Sequence, residues 1–346
     1  MKTPQFLLIL SLILAFQFSC KSDDDSTQPD ETEDPTVEDP IPDEVYDVYI
    51  VGTALGKPVF WKNGNLNLLE SDDNYGQATG ILKVLDDIYI TGELNIMADK
   101  IVPVYWKNGE MTVLTDETAI HRTSGIYVQG NDVWVSSTKI QVPSGGVNLA
   151  GYWKNGIWTQ LGSGTVHSHA SGIKLDGADV YVGGFENHTG CYWENGVRHD
   201  LTTSGSYIYG MQFYEGDKYF VGSYASSIFN ACYWINGTLV DLSDHTNSST
   251  ATSIFIDNEY VYVGGKEVVG SGNHAAVFWN DGIKINITDG SIESYVNDIA
   301  AVHSDVFVVY IQNDLPYYWK NGTSYSLEVE TSSYGYANGI LVTPKN

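Results

Sequence analysis

The 346 residues include 43 acidic and 17 basic side chains, a net charge of −26. A surface of that sign argues against nucleic acid and anionic membrane as partners. With three cysteines, no Cys-x-x-Cys pair, no His-Cys cluster and no Asp-rich calcium loop, the sequence predicts neither a metal site nor a cofactor.

Residues 1–19 open with Lys2 and an apolar run from Phe6 to Phe16. That run is too short to stay in a bilayer as a spanning helix and has the form of a signal peptide. Cys20, after small Ser19, resembles the lipobox of bacterial lipoproteins, although Gln17 and Phe18 depart from that motif. The expectation is cleavage before Cys20 and lipidation of it, so that the membrane is reached through a lipid anchor. A plain secretory signal is the alternative. Residues 20–44 carry the lipidated cysteine and a tether: positions 21–44 hold eleven acidic residues, one lysine and four prolines. Such a segment cannot bury enough surface to fold and repels itself into an extended chain. Lys21-Ser22-Asp23-Asp24-Asp25 resembles the export signal that sends Bacteroidota lipoproteins to the outside of the outer membrane. This implies cell-surface display; a spacer on a periplasmic lipoprotein is the other reading.

From Val45 onward the chain repeats. Trp61, Trp106, Trp153, Trp193, Trp234, Trp279 and Trp319 are each preceded by an aromatic residue and followed by a polar pair or near-pair ending in glycine, as in Tyr152-Trp153-Lys154-Asn155-Gly156. Their spacings are 45, 47, 40, 41, 45 and 40 residues. A period of about 40–50 residues with strand-like content predicts propeller blades. Around Trp193 four short runs, 170–175, 179–183, 190–193 and 197–201, read as strands A to D. Between C and D an Asn-Gly or Asp-Gly pair supplies the positive φ angles of a type I′ hairpin. Adjacent residues of a strand point to opposite faces, so Tyr192 and Trp193 place a ring on each. A sheet with both faces covered accommodates that, and the tryptophans are read as blade packing rather than as a row of sugar pockets.

The first repeat lacks strand A, while Tyr336 to Val342 matches Gln77 to Lys83 and His169 to Leu175. The C-terminal strand is therefore expected to complete blade 1. The predicted fold class is all-β, a seven-bladed β-propeller of four-stranded blades over residues 45–346, its ring closed by that strand. A monomer is expected. Cys191 and Cys232 hold the same place in blades 4 and 5, too far apart for a disulfide, and read as small buried residues.

Strands alternate in direction, so the B–C and D–A loops share one face. Their lengths vary, with the longest insertion expected at Ser137–Leu149, and variation on one face of a rigid scaffold marks a binding face. Aligning strand A on Ile81, Ile126, Ile173, Met211, Ile254, Ile299 and Ile340 places Gln77, Arg122, His169, Tyr207, Thr250, Tyr295 and Tyr336 four positions earlier. This set is the candidate rim of a central mouth, suited to stacking on and hydrogen-bonding a sugar, or to anchoring a peptide. His121, Arg122, His167, His169 and Tyr207 also suggest a uronate-cleaving lyase, with a proton abstractor and a charge clamp. No acid pair recurs among them, and the acidic surface opposes a polyanion.

Asp179-Val180-Tyr181-Val182-Gly183-Gly184, then Cys191-Tyr192-Trp193-Glu194-Asn195-Gly196 and Leu201-Thr202, resembles the Tyr-Trp-Lys-Asn-Gly repeat lipoproteins of Bacteroidota. The resemblance covers 45–346, fits the Cys20 leader, and implies a fold and an address without a reaction. Blade 7 departs from the pattern at Val309-Tyr310, where glycines usually stand. The function expected is a lipid-anchored envelope binding module for a glycan, with a surface protein-interaction scaffold as the alternative and a lyase third.

Overall fold

The chain turns back sharply after every repeat tryptophan. Asn63, Asn108, Asn155, Asn195, Asn236, Asp281 and Asn321 all have φ between 46° and 52°, and each is followed by a glycine at positive φ. This is the type I′ pair that Asn-Gly favours. The asparagine side chain also ties this turn to the start of strand B. Asn108 accepts the Ile88 N–H at 2.9 Å and donates to Asp87 at 2.7 Å, while Lys107 reaches the other Asp87 oxygen at 2.8 Å. Asn155, Asp132 and Lys154 repeat the arrangement, and Asn195 with Asp179 and Asn236 with Asp217 repeat its amide part. The recurring Lys-Asn-Gly therefore clamps two hairpins of one repeat together.

The computed structural model describes residues 45–97, 100–115, 119–141, 146–202, 205–258, 260–270, 272–329 and 334–345. They lie within one compact unit, Val37–Asn346. The expected leader (1–19), Cys20 and the acidic segment to residue 44 lie outside the described residues. Among those residues every regular element is a strand and none is a helix. The strands form five four-stranded antiparallel sheets and one eight-stranded sheet. The larger sheet is two four-stranded halves joined by a single parallel bridge, Ile101 to Ile120. In chain order the four-stranded units span 46–68, 75–113, 120–160, 168–200, 206–241, 249–286 and 294–326, and are numbered 1 to 7 below. Unit 1 takes its fourth strand from the C-terminus: Tyr336–Pro344 pairs antiparallel with Tyr46–Ala54, from Tyr46↔Pro344 to Thr53↔Tyr336. The first strand of each of units 2 to 6 packs on that of the next, and Tyr336–Pro344 packs on the first strands of both unit 7 and unit 2.

The core lies between the sheets. Each apolar cluster joins consecutive units: Trp106 meets Val51 of unit 1 and Leu69 just after it, Trp153 meets Tyr89 of unit 2 and Leu114 just after it, and Trp193 meets Trp134 and Ala150 of unit 3. Trp234 meets Tyr181, Trp279 meets Tyr219 and Val221, and Trp61 meets Phe307 and Tyr318 of unit 7. Two indoles also bond across the gap, Trp61 to the Glu328 carbonyl at 2.9 Å and Trp106 to that of Glu70 at 2.8 Å. Buried serines add rungs, since Ser168, Ser206, Ser249 and Ser294 each accept a strand-C N–H of the preceding unit at 2.8–3.1 Å. Cys191 and Cys232 are free and buried.

Unit 7 shows why glycine stands in strand B. A Cβ on Gly92 would lie 2.8 Å from the Trp106 ring and 2.2 Å from the Gln77 carbonyl. In unit 7 that position is Tyr310, itself buried, and Trp319 is only half-buried. The tyrosine and the indole share one apolar cluster there, and Tyr310 stacks on Tyr317 at 5.3 Å. One loop expectation is corrected. The insertion placed at Ser137–Leu149 begins later, because Asp132–Ile140 is continuous strand with Ser136, Ser137 and Thr138 buried in it. A polar run that packs between sheets reads like a loop.

Candidate binding face

The B–C turn of one unit lies beside the start of strand A in the next. Gly76 N donates to Gly56 O at 2.9 Å, Ser206 N to His188 O at 3.1 Å and Gly335 N to Asp314 O at 3.2 Å. The B–C and D–A loops thus share a face. From there each first strand descends and bulges once, at Thr79, Ser124, Ser171, Tyr209, Thr252, Asn297 and Asn338. A bulge leaves its residue out of the ladder and re-aims its side chain. All seven line one cavity of about 450 Å³.

Six of the seven use that freedom to bind the neighbouring unit. Ser124 donates to Ala170 O at 2.5 Å, Ser171 to Ile208 O at 2.6 Å and Thr252 to Val296 O at 2.8 Å. Asn297 donates to Ala337 O and Asn338 to Ala78 O, both at 2.8 Å, and Thr79 meets the Thr123 hydroxyl at 2.8 Å. Tyr209 breaks the rule. It is 38% exposed and stacks beside Tyr207, ring centroids 6.3 Å apart.

Of the seven rim candidates, Gln77, Arg122 and His169 line this cavity, and Tyr207, Thr250, Tyr295 and Tyr336 do not. Glu93, 1% exposed, organises the first two: Gln77 Nε2 donates to its Oε1 at 2.8 Å, Arg122 Nη1 pairs with the same oxygen, and Thr123 N donates to Oε2 at 3.0 Å. The Arg122 side chain remains 46% exposed. His169 stacks flat on Phe185 at 5.3 Å, and burial lowers its pKa, favouring the neutral ring. Tyr207 lies edge-on to Phe185 at 4.9 Å, and its hydroxyl meets His188 Nδ1 at 2.7 Å. Thr250 pairs with Lys266 on strand B. Lys266 Nζ sits 5.6 Å from the centre of the Tyr295 ring. Tyr336 faces a separate cleft beside unit 1.

The histidine cluster is not one site. His121 is 1% exposed and lies edge-on to Trp153 and Trp158, at 5.1 and 5.2 Å, so it is packing. His167 Nδ1 accepts the Asn148 N–H at 3.1 Å in an exposed loop. Deeper in the cavity stand Lys174 and Asp298. Burial raises the Asp298 pKa to about 6, opposed by N–H groups of Ile340 and Ile299 and by Lys174. Burial lowers that of Lys174, opposed by Asp298. Among the described residues no three His, Cys, Asp or Glu converge as metal ligands. The bulge set was readable two positions before the aligned isoleucines, where six of seven residues are small hydrogen-bond formers.

No family model matches the chain, and no curated protein matches it either. Solved structures match at low identity. One from work on prolyl endopeptidases is 10% identical, with 85% of this chain and 50% of that one covered at a TM-score of 0.49. Acylaminoacyl peptidase from Pyrococcus horikoshii is 12% identical, with 86% and 53% covered and a TM-score of 0.49. A putative TolB from Agrobacterium tumefaciens is 11% identical, with 68% and 94% covered and a TM-score of 0.44. The chain spans about half the length of the two peptidases.

Proposed function

We propose that residues 45–346 form a closed seven-bladed β-propeller that binds glycan at its central mouth on the B–C/D–A face. In this reading the module is held at the outer membrane, on the cell surface, by lipidated Cys20 and the acidic tether. The sheet-to-sheet series and the pairing of Tyr336–Pro344 with Tyr46–Ala54 support the closed ring. For the ligand, one observation carries the proposal: a belt of six small hydrogen-bonding residues is interrupted by Tyr209, an exposed ring facing the cavity. Its hydroxyl bonds Ser223 of its own unit rather than the next one, and such a break in a local rule marks a candidate functional position. Beside Tyr209, the cavity offers Arg122, Gln77 and the stacked His169, a combination suited to a sugar's apolar face and its hydroxyls.

The test is a glycan array with polysaccharide-retardation gels on the full chain and on Tyr209→Ala. Binding by the parent and its loss in a folded Tyr209→Ala supports the mouth as the site. Equal binding by both removes Tyr209 from it. Exposed Phe229, 5.9 Å from the Tyr207 ring, favours the protein-scaffold reading as second, because it widens the apolar patch beyond one sugar. New unsaturated ends in the same mixtures would instead mark a lyase.

A further inference from the structure

A second cavity, about 290 Å³, opens beside the first between units 1 and 2. Gln77 and Arg122 line both, so the two hollows share a wall. The rest of the second cleft is unlike the belt-lined cavity. Tyr75 and Tyr336 provide its rings, and Asn95 adds an amide at its edge. Tyr75 is 63% exposed, yet it is held in place: its Cδ1 sits where a Cβ on Gly56 would be 2.7 Å away, and Lys57 Nζ lies 5.6 Å from its ring centre. A large ring backed by Gly56 and Lys57 and still mostly exposed on this face is a preset platform.

The polar wall is set in advance. Glu93 is buried and takes the Gln77 amide N–H, so the Gln77 oxygen is left as an acceptor. The same carboxylate holds Arg122 through one nitrogen, and the remaining guanidinium N–H donors sit on a side chain 46% exposed. A fixed donor beside a fixed acceptor fits the paired hydroxyls of a pyranose, with an aromatic face for its C–H side. Charge decides the class. Arg122 is already neutralised by Glu93, and the surrounding protein is strongly acidic, so an anionic sugar gains little here and is repelled at distance.

We infer that the Tyr75–Tyr336 cleft is a second subsite for a neutral sugar residue, and that one oligosaccharide runs from it across Gln77 and Arg122 into the central mouth. This rests on the glycan reading of that mouth. Short sugars occupy the mouth, and longer ones also reach Tyr75.

The test is calorimetric titration of the full chain with neutral glucose, mannose, galactose and xylose oligosaccharides from disaccharide to octasaccharide. Uronate-containing chains of the same lengths, and the variants Tyr75→Ala, Tyr75→Phe and Tyr209→Ala, are run in parallel. The parent's affinity should climb with length, change little with salt, and climb in Tyr75→Phe as well. In Tyr75→Ala the climb should stop, with a loss of about tenfold for the longest chains and near-parental binding of the shortest. Tyr209→Ala should weaken every length. If Tyr75→Ala follows the parent at all lengths while Tyr209→Ala fails, the second subsite is overturned and the mouth stands. Preference for uronate chains overturns the neutral assignment. Binding of no oligosaccharide by the parent overturns both.

Discussion

Trp106→Ala is the sharpest test of where this protein keeps its stability. The side chain is 0% exposed, wedged between units 1 and 2, with its indole N–H bonded to the Glu70 carbonyl at 2.8 Å. A buried tryptophan removes about 200 Å² from water, or about 5 kcal/mol at ~25 cal/mol per Å². Mutational experience with the cavity left behind gives about 3–5 kcal/mol. The lost hydrogen bond strands a carbonyl and adds about 1 kcal/mol. The expected loss is therefore about 4–6 kcal/mol. With an unfolding entropy of about 2.1 cal/mol/K per residue over roughly 300 residues, each kcal/mol moves Tm by about 1.6 °C, so the fall should be about 6–10 °C. Scanning calorimetry, with guanidinium melts followed by fluorescence, measures it. Trp319→Ala is the internal control: it has the same motif position but a ring that is not fully buried, so a smaller loss is expected. Equal losses at the two sites, or less than about 1.5 kcal/mol at Trp106, would refute the inter-sheet core.

Three further outcomes are expected. Deleting residues 334–346 removes the strand that covers one edge of Tyr46–Ala54 and takes Ala337, Ile340 and Val342 out of a core cluster, so cooperative unfolding should be lost. An undiminished transition would contradict ring closure. Asp298 has a folded pKa raised from 3.8 to about 6 by burial. Its folded form holds the proton more tightly, so its stabilising contribution is full below 3.8 and disappears as pH rises through about 6. The Tm of the parent minus that of Asp298→Asn should accordingly grow toward acid within that window, and a pH-independent difference would count against the buried placement. Arg122→Ala leaves the buried Glu93 carboxylate with two donors instead of three and should cost about 2 kcal/mol. Adding Glu93→Gln should recover most of that, and strict additivity in this double-mutant cycle would dissolve the proposed pairing.

Much of the architecture was legible because the repeat writes it seven times. Tryptophan spacing, Asn-Gly turns and the displaced strand at the C-terminus are all local signals, and each has a direct counterpart in the sheets. The candidate site was legible only in part. Counting four residues back from each isoleucine crosses the bulge, and a bulge changes which side chain faces inward without changing the sequence pattern. The belt was therefore missed, although Gln77, Arg122 and His169 were found. His121 was grouped with the candidate lyase residues because nothing in its local sequence announces Trp158, an extra indole on strand D of the same unit that packs edge-on against it. Glu93 escaped for a similar reason: its partners Gln77, Arg122 and Thr123 come from two different units and meet only in three dimensions.

The pairing of Tyr46 with Pro344 also has a mechanical meaning. The two ends of the paired region sit side by side at one end of an antiparallel ribbon, so a pull between them loads its hydrogen bonds one at a time rather than all together. Antiparallel ribbons loaded in that way peel. The same adjacency means that a short peptide could join residue 45 to residue 345, and new ends opened at an Asn-Gly hairpin of any unit but the first would leave unit 1 built from one uninterrupted stretch of chain.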